Sequence, residues 1–262
     1  MTKPNQHSVS RTILITGGAS GIGLGLAQQL GASGHKIIIA DMNLDAANNA
    51  VDELGAQGIS ARAVMLDVTD TQQVAALPDI LAPDIVDVLI NNAGIQHVAK
   101  LEDFPAQKWQ QLIDIMLVAP AMLTQAFLPG MRSKNYGRII NIGSVHSLIA
   151  SPFKSAYVAA KHGLLGFSKT IALETGDCDV TINTLCPAYV KTPLVEKQIA
   201  AQAKEHGMSE EDVINKIMLE PMPKKSFIHI DELVSSAAFL MEHSARNITA
   251  QTIVIDGGWT AR

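Results

Sequence analysis

Apolar residues along this chain fall into two alternating patterns. Short, nearly continuous runs rich in Ile, Leu and Val occupy residues 11–16, 36–40, 61–66, 86–91, 137–142, 180–185 and 252–255. Runs of that length and density predict parallel strands buried on both faces. Between them, apolar positions recur at helical spacing over residues 21–33, 44–54, 71–81, 106–131, 155–175 and 231–242. This alternation predicts an α/β fold, a doubly wound parallel sheet of about seven strands with helices on both faces. Pro120 falls inside the fourth helical pattern and predicts a kink there.

The rhythm breaks once. Residues 188–227 separate the sixth strand from the last helix, and contain Pro193, Pro221 and Pro223 with two helical patches at 194–206 and 209–219. An insertion after a strand's C-terminal end lies over the ligand crevice in this architecture, so a mobile lid is expected. Apolar Leu194, Val195 and Ile199 would give that lid something to cover. With 262 residues, 47% of them hydrophobic, the chain fits one α/β domain spanning 1–262 better than two.

Charge and cysteine content narrow the function classes. The formal net charge is −5 and no basic tract stands out, which argues against nucleic acid or an anionic membrane as partner. The first eleven residues are polar, unlike a signal peptide, and no apolar stretch approaches the ~18 residues of a membrane span. Cys178 and Cys186 match neither a redox pair nor a zinc site, and no metal site is expected. A cytoplasmic, soluble protein is the expectation.

The first strand runs directly into a glycine-rich loop, Thr16-Gly17-Gly18-Ala19-Ser20-Gly21-Ile22-Gly23, that opens the first helix. Glycines there permit a tight turn and close backbone approach to a pyrophosphate seated on the helix N-terminus. This strand–loop–helix context makes the sheet Rossmann-like. Asp41 ends the second strand, eighteen residues after Gly23. A carboxylate there accepts hydrogen bonds from an adenosine ribose and repels a 2′-phosphate, which favours NAD over NADP. Asp67 and Val68, after the third strand, are placed for the adenine edge. Asn91-Asn92-Ala93-Gly94, after the fourth, bring backbone against the cofactor.

Tyr157 and Lys161 are four residues apart, hence on one helix face, and Ser144 precedes them. A phenol is a poor base at neutral pH, and a nearby ammonium favours its ionised form. A serine hydroxyl can hold an oxygen beside it. Next to a nicotinamide, these three groups suit exchange of a hydride and a proton between an alcohol and a ketone. Ser144 and His146 do not form a hydrolase site, because no Gly-x-Ser-x-Gly elbow occurs in the chain.

Further polar residues surround that centre. Gln96 and His97 follow Gly94, and His146 and Lys154 lie between the fifth strand and the Tyr157 helix. An extended chain after Ile142 would point Ser144 and His146 the same way. Lys154 at a helix start opposes the helix dipole, which makes sense if it faces an anion. With Gln198 on the lid, one Lys, one His and two Gln can hold a small carboxylate by charge and hydrogen bonds. Each also has a plain reading, as a solvated helix residue (Gln198), a surface lysine (Lys154) or a satisfied core histidine (His146).

Over nearly its whole length the chain resembles the short-chain dehydrogenase/reductase family. The motifs are the 16–23 loop, Asn91–Gly94, Ser144, Tyr157 with Lys161, Pro187 in Cys186-Pro187-Ala188, and Asp256-Gly257-Gly258. The resemblance implies Tyr157 as general acid/base, Ser144 holding the substrate oxygen, and Lys161 lowering the phenol's pKa and binding the nicotinamide ribose. It also implies Thr192 and Pro187 at the cofactor. One position departs. Many family members carry an Asn seven residues after a Trp in the fourth helix, where it supports a water in a proton relay to the lysine. Here Trp109 is followed at that distance by Met116, which carries no proton donor. Turnover is then impaired, or water reaches Lys161 by another route while Met116 packs.

Within the family, residues 91–98, Ser144-Val145-His146, Lys154, Pro193-Leu194-Val195, Gln198 and Gly257-Gly258-Trp259 are similar to those of 3-hydroxybutyrate dehydrogenases. That similarity implies Gln96, His146, Lys154 and Gln198 around a substrate carboxylate. Trp259 would close the pocket, from its own or another subunit, and Tyr189 would stand as an aromatic wall. It further implies NAD-dependent oxidation of the R enantiomer to acetoacetate, and a tetramer. The helix at 155–175, apolar on nearly all sides, fits burial between the sheet and a second subunit. Another reductase acting on 3-oxoacyl groups, or an NAD-binding protein without turnover, remains as an alternative.

Overall fold

A computed structural model describes residues 9–261, apart from the side chains of Leu194, Lys197, Ala201, Glu205 and His206. The expectations for residues 1–8 and for the Leu194 side chain lie outside the described residues. Seven parallel strands form one sheet in the order β3-β2-β1-β4-β5-β6-β7. They are β1 (Thr12–Thr16), β2 (Lys36–Asp41), β3 (Ala61–Met65), β4 (Val88–Asn91), β5 (Gly137–Ile142), β6 (Val180–Pro187) and β7 (Thr252–Ile255). Alternate residues of a strand serve opposite faces. Ile13, Ile15, Ile37 and Ile39 thus meet helices α1 (Gly21–Ala32), α2 (Leu44–Ala56) and α9 (Ile230–Met241). Leu14, Ile38 and Leu89 meet α3 (Thr71–Leu81), α5 (Ala119–Lys134) and α6 (Ser155–Glu174) on the other face. Central strands β4, β5 and β6 are buried throughout, whereas edge strands β3 and β7 are half-exposed. Strand order reverses between β1 and β4, which places the ligand crevice above their C-terminal ends.

Three local departures matter for the site. The fourth helical pattern splits into α4 (Ala106–Ile113), a π-helical turn at Asp114–Val118, and α5. Pro120, the second residue of α5, has no N–H to give the preceding turn, and a wider turn lies where the sequence predicts a kink. The whole run, Ala106–Lys134, is long and apolar enough by length and composition to cross a membrane, contrary to the sequence expectation. Its Leu123, Phe127 and Met131 pack under the sheet, as those of a core helix do. After β5 the chain does not stay extended. Val145–Ser147 make a 3-10 turn capped by Ser144, whose hydroxyl accepts from His146 N.

Residues 188–227 hold α7 (Pro193–His206), the short α8 (Glu210–Val213) and a π-helical turn at Ile214–Met218. Val195 and Ile199 pack on Val213 and Met218, with Tyr189 and Phe227 alongside. The insertion therefore has a small core of its own, separate from the two sheet faces.

Candidate active site

A cleft of about 410 Å³ opens above the C-terminal ends of the strands. Its cofactor side is built by backbone. Gly17 and Gly21 take φ of +61° and +55°, which only glycine adopts without strain. Ser20 precedes α1 but makes no side-chain cap hydrogen bond, so the first-turn amides are left for another acceptor. Gly23 does not line the cleft. A Cβ there would stand 2.4 Å from Gly17 O and 2.6 Å from Asn92 Nδ2, so its role is to let the loop close on itself. Asn92 Nδ2 donates to Thr16 O and Gly17 O, pinning that loop to β4. Asp41 accepts from Ala19 N and Asn43 N, and Asp67 accepts from Thr69. Gly17, Ser20, Gly21, Ile22, Asp41, Asp67, Val68, Asn92, Ala93, Gly94, Pro187 and Thr192 all face the cleft. Thr192 Oγ1 also caps α7 through Val195 N.

Ser144, Tyr157 and Lys161 come together on its floor. Lys161, 5% exposed, donates to Ile142 O at 2.6 Å, and its Nζ lies 5.7 Å from the centre of the Tyr157 ring. Burial holds the ammonium's pKa down at about 8. Burial also pushes the Tyr157 phenol above its ordinary value, against a hydrogen bond from Ser144 that favours ionisation. Desolvation is the largest cause of that shift, and the lysine's expected pull on the phenol is not among its causes. Met116, 1% exposed, packs in one cluster with Ala160, Tyr157 and Ile95.

The substrate side is aromatic and polar. Tyr189 and Trp259 stack with centroids 5.8 Å apart, and His146 meets Trp259 edge-on at 5.9 Å. Trp259 thus walls the cleft of its own chain. His146 Nδ1 lies 3.4 Å from Ser144 Oγ and Nε2 lies 2.7 Å from Ser151 Oγ, so both ring nitrogens are engaged. Burial, then the charges of Lys154 and His162, lower its pKa to about 4. The imidazole is neutral near pH 7 and supplies no positive charge. Lys154 is half-buried, has no carboxylate partner among the described residues, and lies 5.9 Å from the Tyr189 ring centre. Burial holds its pKa down. Gln96 and Gln198 line the same end, Gln96 Oε1 accepting from His97 N. His97 itself turns away to meet Phe104 edge-on at 4.9 Å and does not line the cleft.

A family model for short chain dehydrogenases matches residues 11–203. The chain belongs to the short-chain dehydrogenase/reductase family. This short-chain dehydrogenase is 43% identical over 260 residues to a D-beta-hydroxybutyrate dehydrogenase of Rhizobium meliloti, covering 97% of this chain and all of that one. It is 43% identical over 255 residues to a protein of the same name from Cupriavidus necator, covering 96% and 98%. It is 32% identical over 247 residues to a 3-oxoacyl-acyl-carrier-protein reductase of Salmonella typhimurium, covering 94% and 95%.

Membership in the short-chain dehydrogenases implies a nicotinamide cofactor, and the glycine cradle with its uncapped helix start fits one. Reading the sequence missed two kinds of residue in this dehydrogenase. Ile115, Val190 and Met42 line the cleft as ordinary apolar side chains, with no pattern to single them out. Ser151 was missed as well, because only the 3-10 turn brings it to His146.

Proposed function

We propose that this enzyme oxidises (R)-3-hydroxybutyrate to acetoacetate, reversibly, with NAD. The observation that carries the reading is Lys154, a half-buried cation at the aromatic end of the cleft that meets no carboxylate among the described residues. A charge left unpaired at that depth is costly unless a ligand supplies its partner. Gln96 and Gln198 add hydrogen-bonding groups beside it, His146 lines the same pocket, and Tyr189 and Trp259 bound its length. The relatives named for D-beta-hydroxybutyrate support the same substrate. Bound nicotinamide supplies the acceptor for the hydride of C3. Tyr157 takes the hydroxyl proton, Ser144 holds the oxygen, and Lys161 orients the ribose and favours the ionised phenol once a ligand fills the cleft. Asp41, tied into the glycine loop at Ala19 N, puts a carboxylate where it would repel a 2′-phosphate, which supports NAD over NADP.

Two further parts belong to this reading. Residues 188–227 form the lid of a single 1–262 domain, and Val195 and Gln198 bring that lid to the cleft wall. The enzyme is a cytoplasmic homotetramer. Leu173, 84% exposed on α6, and the free thiols Cys178 and Cys186 support those two statements.

NADH formation with (R)- and (S)-3-hydroxybutyrate, with NAD and then NADP, tests the proposal. Turnover confined to R with NAD is expected. The reductase-type relative favours a second reading, a carrier-bound 3-oxoacyl substrate. Turnover of such a substrate, unaffected by Lys154→Ala, would establish it instead.

A further inference from the structure

Ser144, His146 and Ser151 form a file of polar side chains from the floor of the cleft to the surface. At the inner end the Ser144 hydroxyl, 7% exposed, shares the cleft floor with Tyr157 and favours ionisation of its phenol. His146, 4% exposed, links it outward, with Nδ1 3.4 Å from Ser144 Oγ and Nε2 2.7 Å from Ser151 Oγ. Ser151 is half-buried, and its neighbours Ala150 and Pro152 are exposed. The capped 3-10 turn holds this alignment, His146 N donating to Ser144 Oγ and Ser144 N to Ser147 Oγ.

We propose that this file is the path by which the alcohol's proton reaches water. The proposal rests on the functional reading above. As hydride leaves C3, the substrate hydroxyl proton passes to Tyr157 oxygen, and Tyr157 passes a proton to Ser144 Oγ. Ser144 gives its own proton to His146 Nδ1, the Nε2 proton goes to Ser151 Oγ, and Ser151 releases one to bulk water. Each group gains one proton and loses one, so one proton leaves per alcohol oxidised. The hydroxyls and the ring rotate back before the next turnover, and ketone reduction runs the file inward.

Three observations carry the proposal. On the Lys161 side, one N–H of the ammonium is given to Ile142 O, and neighbouring Met116 has no proton to exchange. Both nitrogens of His146 lie within hydrogen-bonding distance of a hydroxyl, Ser144 on one side and Ser151 on the other. The ring is buried beside the Lys154 charge and stays neutral, and only a neutral imidazole accepts at one nitrogen while donating at the other.

Ser151→Ala tests it, because Ser151 does not line the cleft. The expected result is a fall in kcat for (R)-3-hydroxybutyrate of about tenfold or more at unchanged KM. The solvent deuterium isotope effect on kcat should rise, added imidazole should restore the rate, and Ser151→Thr should keep it. Independently of any substrate, nitrogen-15 NMR of the free protein should show the Nε2–H tautomer of His146. A wild-type rate in Ser151→Ala, or an Nδ1–H tautomer, overturns the proposal. A wild-type enzyme inert towards (R)-3-hydroxybutyrate overturns the functional reading alone, and the tautomer still decides the proton path.

Discussion

The two ends of the sheet treat charge in opposite ways. At the N-terminal ends of the strands, ionised groups are paired with charges of opposite sign. Asp87, 5% exposed, accepts from Thr12 N and pairs with Lys134. Arg138, wholly buried, pairs with Asp179 at 2.9 Å and lies 4.4 Å from the centre of the Tyr136 ring, over which Arg11 also sits. Lys36 and Arg62 share Asp84. At the C-terminal ends, Lys154 meets no carboxylate among the described residues and Lys161 meets a carbonyl, both held below their usual pKa by burial. Charge paired within the fold marks the strands' starting points. Charge kept short of a partner is what a ligand can complete, and perturbed titration gathers where chemistry is done.

Substitutions at the two ends should therefore separate function from stability. The largest effect is expected at Lys154. Lys154→Ala should lower kcat/KM for (R)-3-hydroxybutyrate by about 10²-fold, the loss of roughly one charge-assisted hydrogen bond. The melting temperature should hold or rise, because a buried cation has been removed. A fall in both would place Lys154 with the structural charges.

His146 gives the next effect, read through pH. Its folded pKa of about 4 lies below the ordinary 6.5. The unfolded chain then binds more protons between those values, so this contribution to stability is complete above pH 6.5 and is lost as pH falls towards 4. Between pH 7 and pH 5 it amounts to about 2 kcal/mol. Urea unfolding of His146→Gln should show that much less loss over the same interval; equal slopes would refute the burial argument.

Asp87→Ala should cost about 1–2 kcal/mol of stability, because Thr12 N and Lys134 lose their acceptor. Its kcat and KM should match wild type. A changed KM would mean that the two ends communicate through β4.

The strands were legible because burial on both faces leaves a simple trace, a run of Ile, Leu and Val. Residues 137–142 and 252–255 were placed to the residue, and 71–81 likewise among the helices. Backbone detail left no such trace. A π-helical turn at Asp114–Val118 has the same apolar content as an α-helix, and Pro120 marked the disturbance without revealing its form. Ser144 and His146 were paired for the wrong reason, since a capped turn and not an extended chain brings them together. Gly23 was identified as a loop glycine, but only packing distances show that its contact is with Gly17 and Asn92. Glycine at position 25 carried no motif at all, although a Cβ there would stand 2.5 Å from Ile230 of α9.

The strand order has a consequence for how the chain is made. β1 takes β2 on one edge, and β2 takes β3, so three of the seven strands can pair from the first 65 residues. Its other edge then waits for β4, after which β5, β6 and β7 each add beside the strand that emerged just before. Synthesis delivers residues at ~5–20 per second, far slower than local folding. From β4 onward each emerging strand meets a finished edge, and the ribosome's schedule coincides with the sheet's order of assembly.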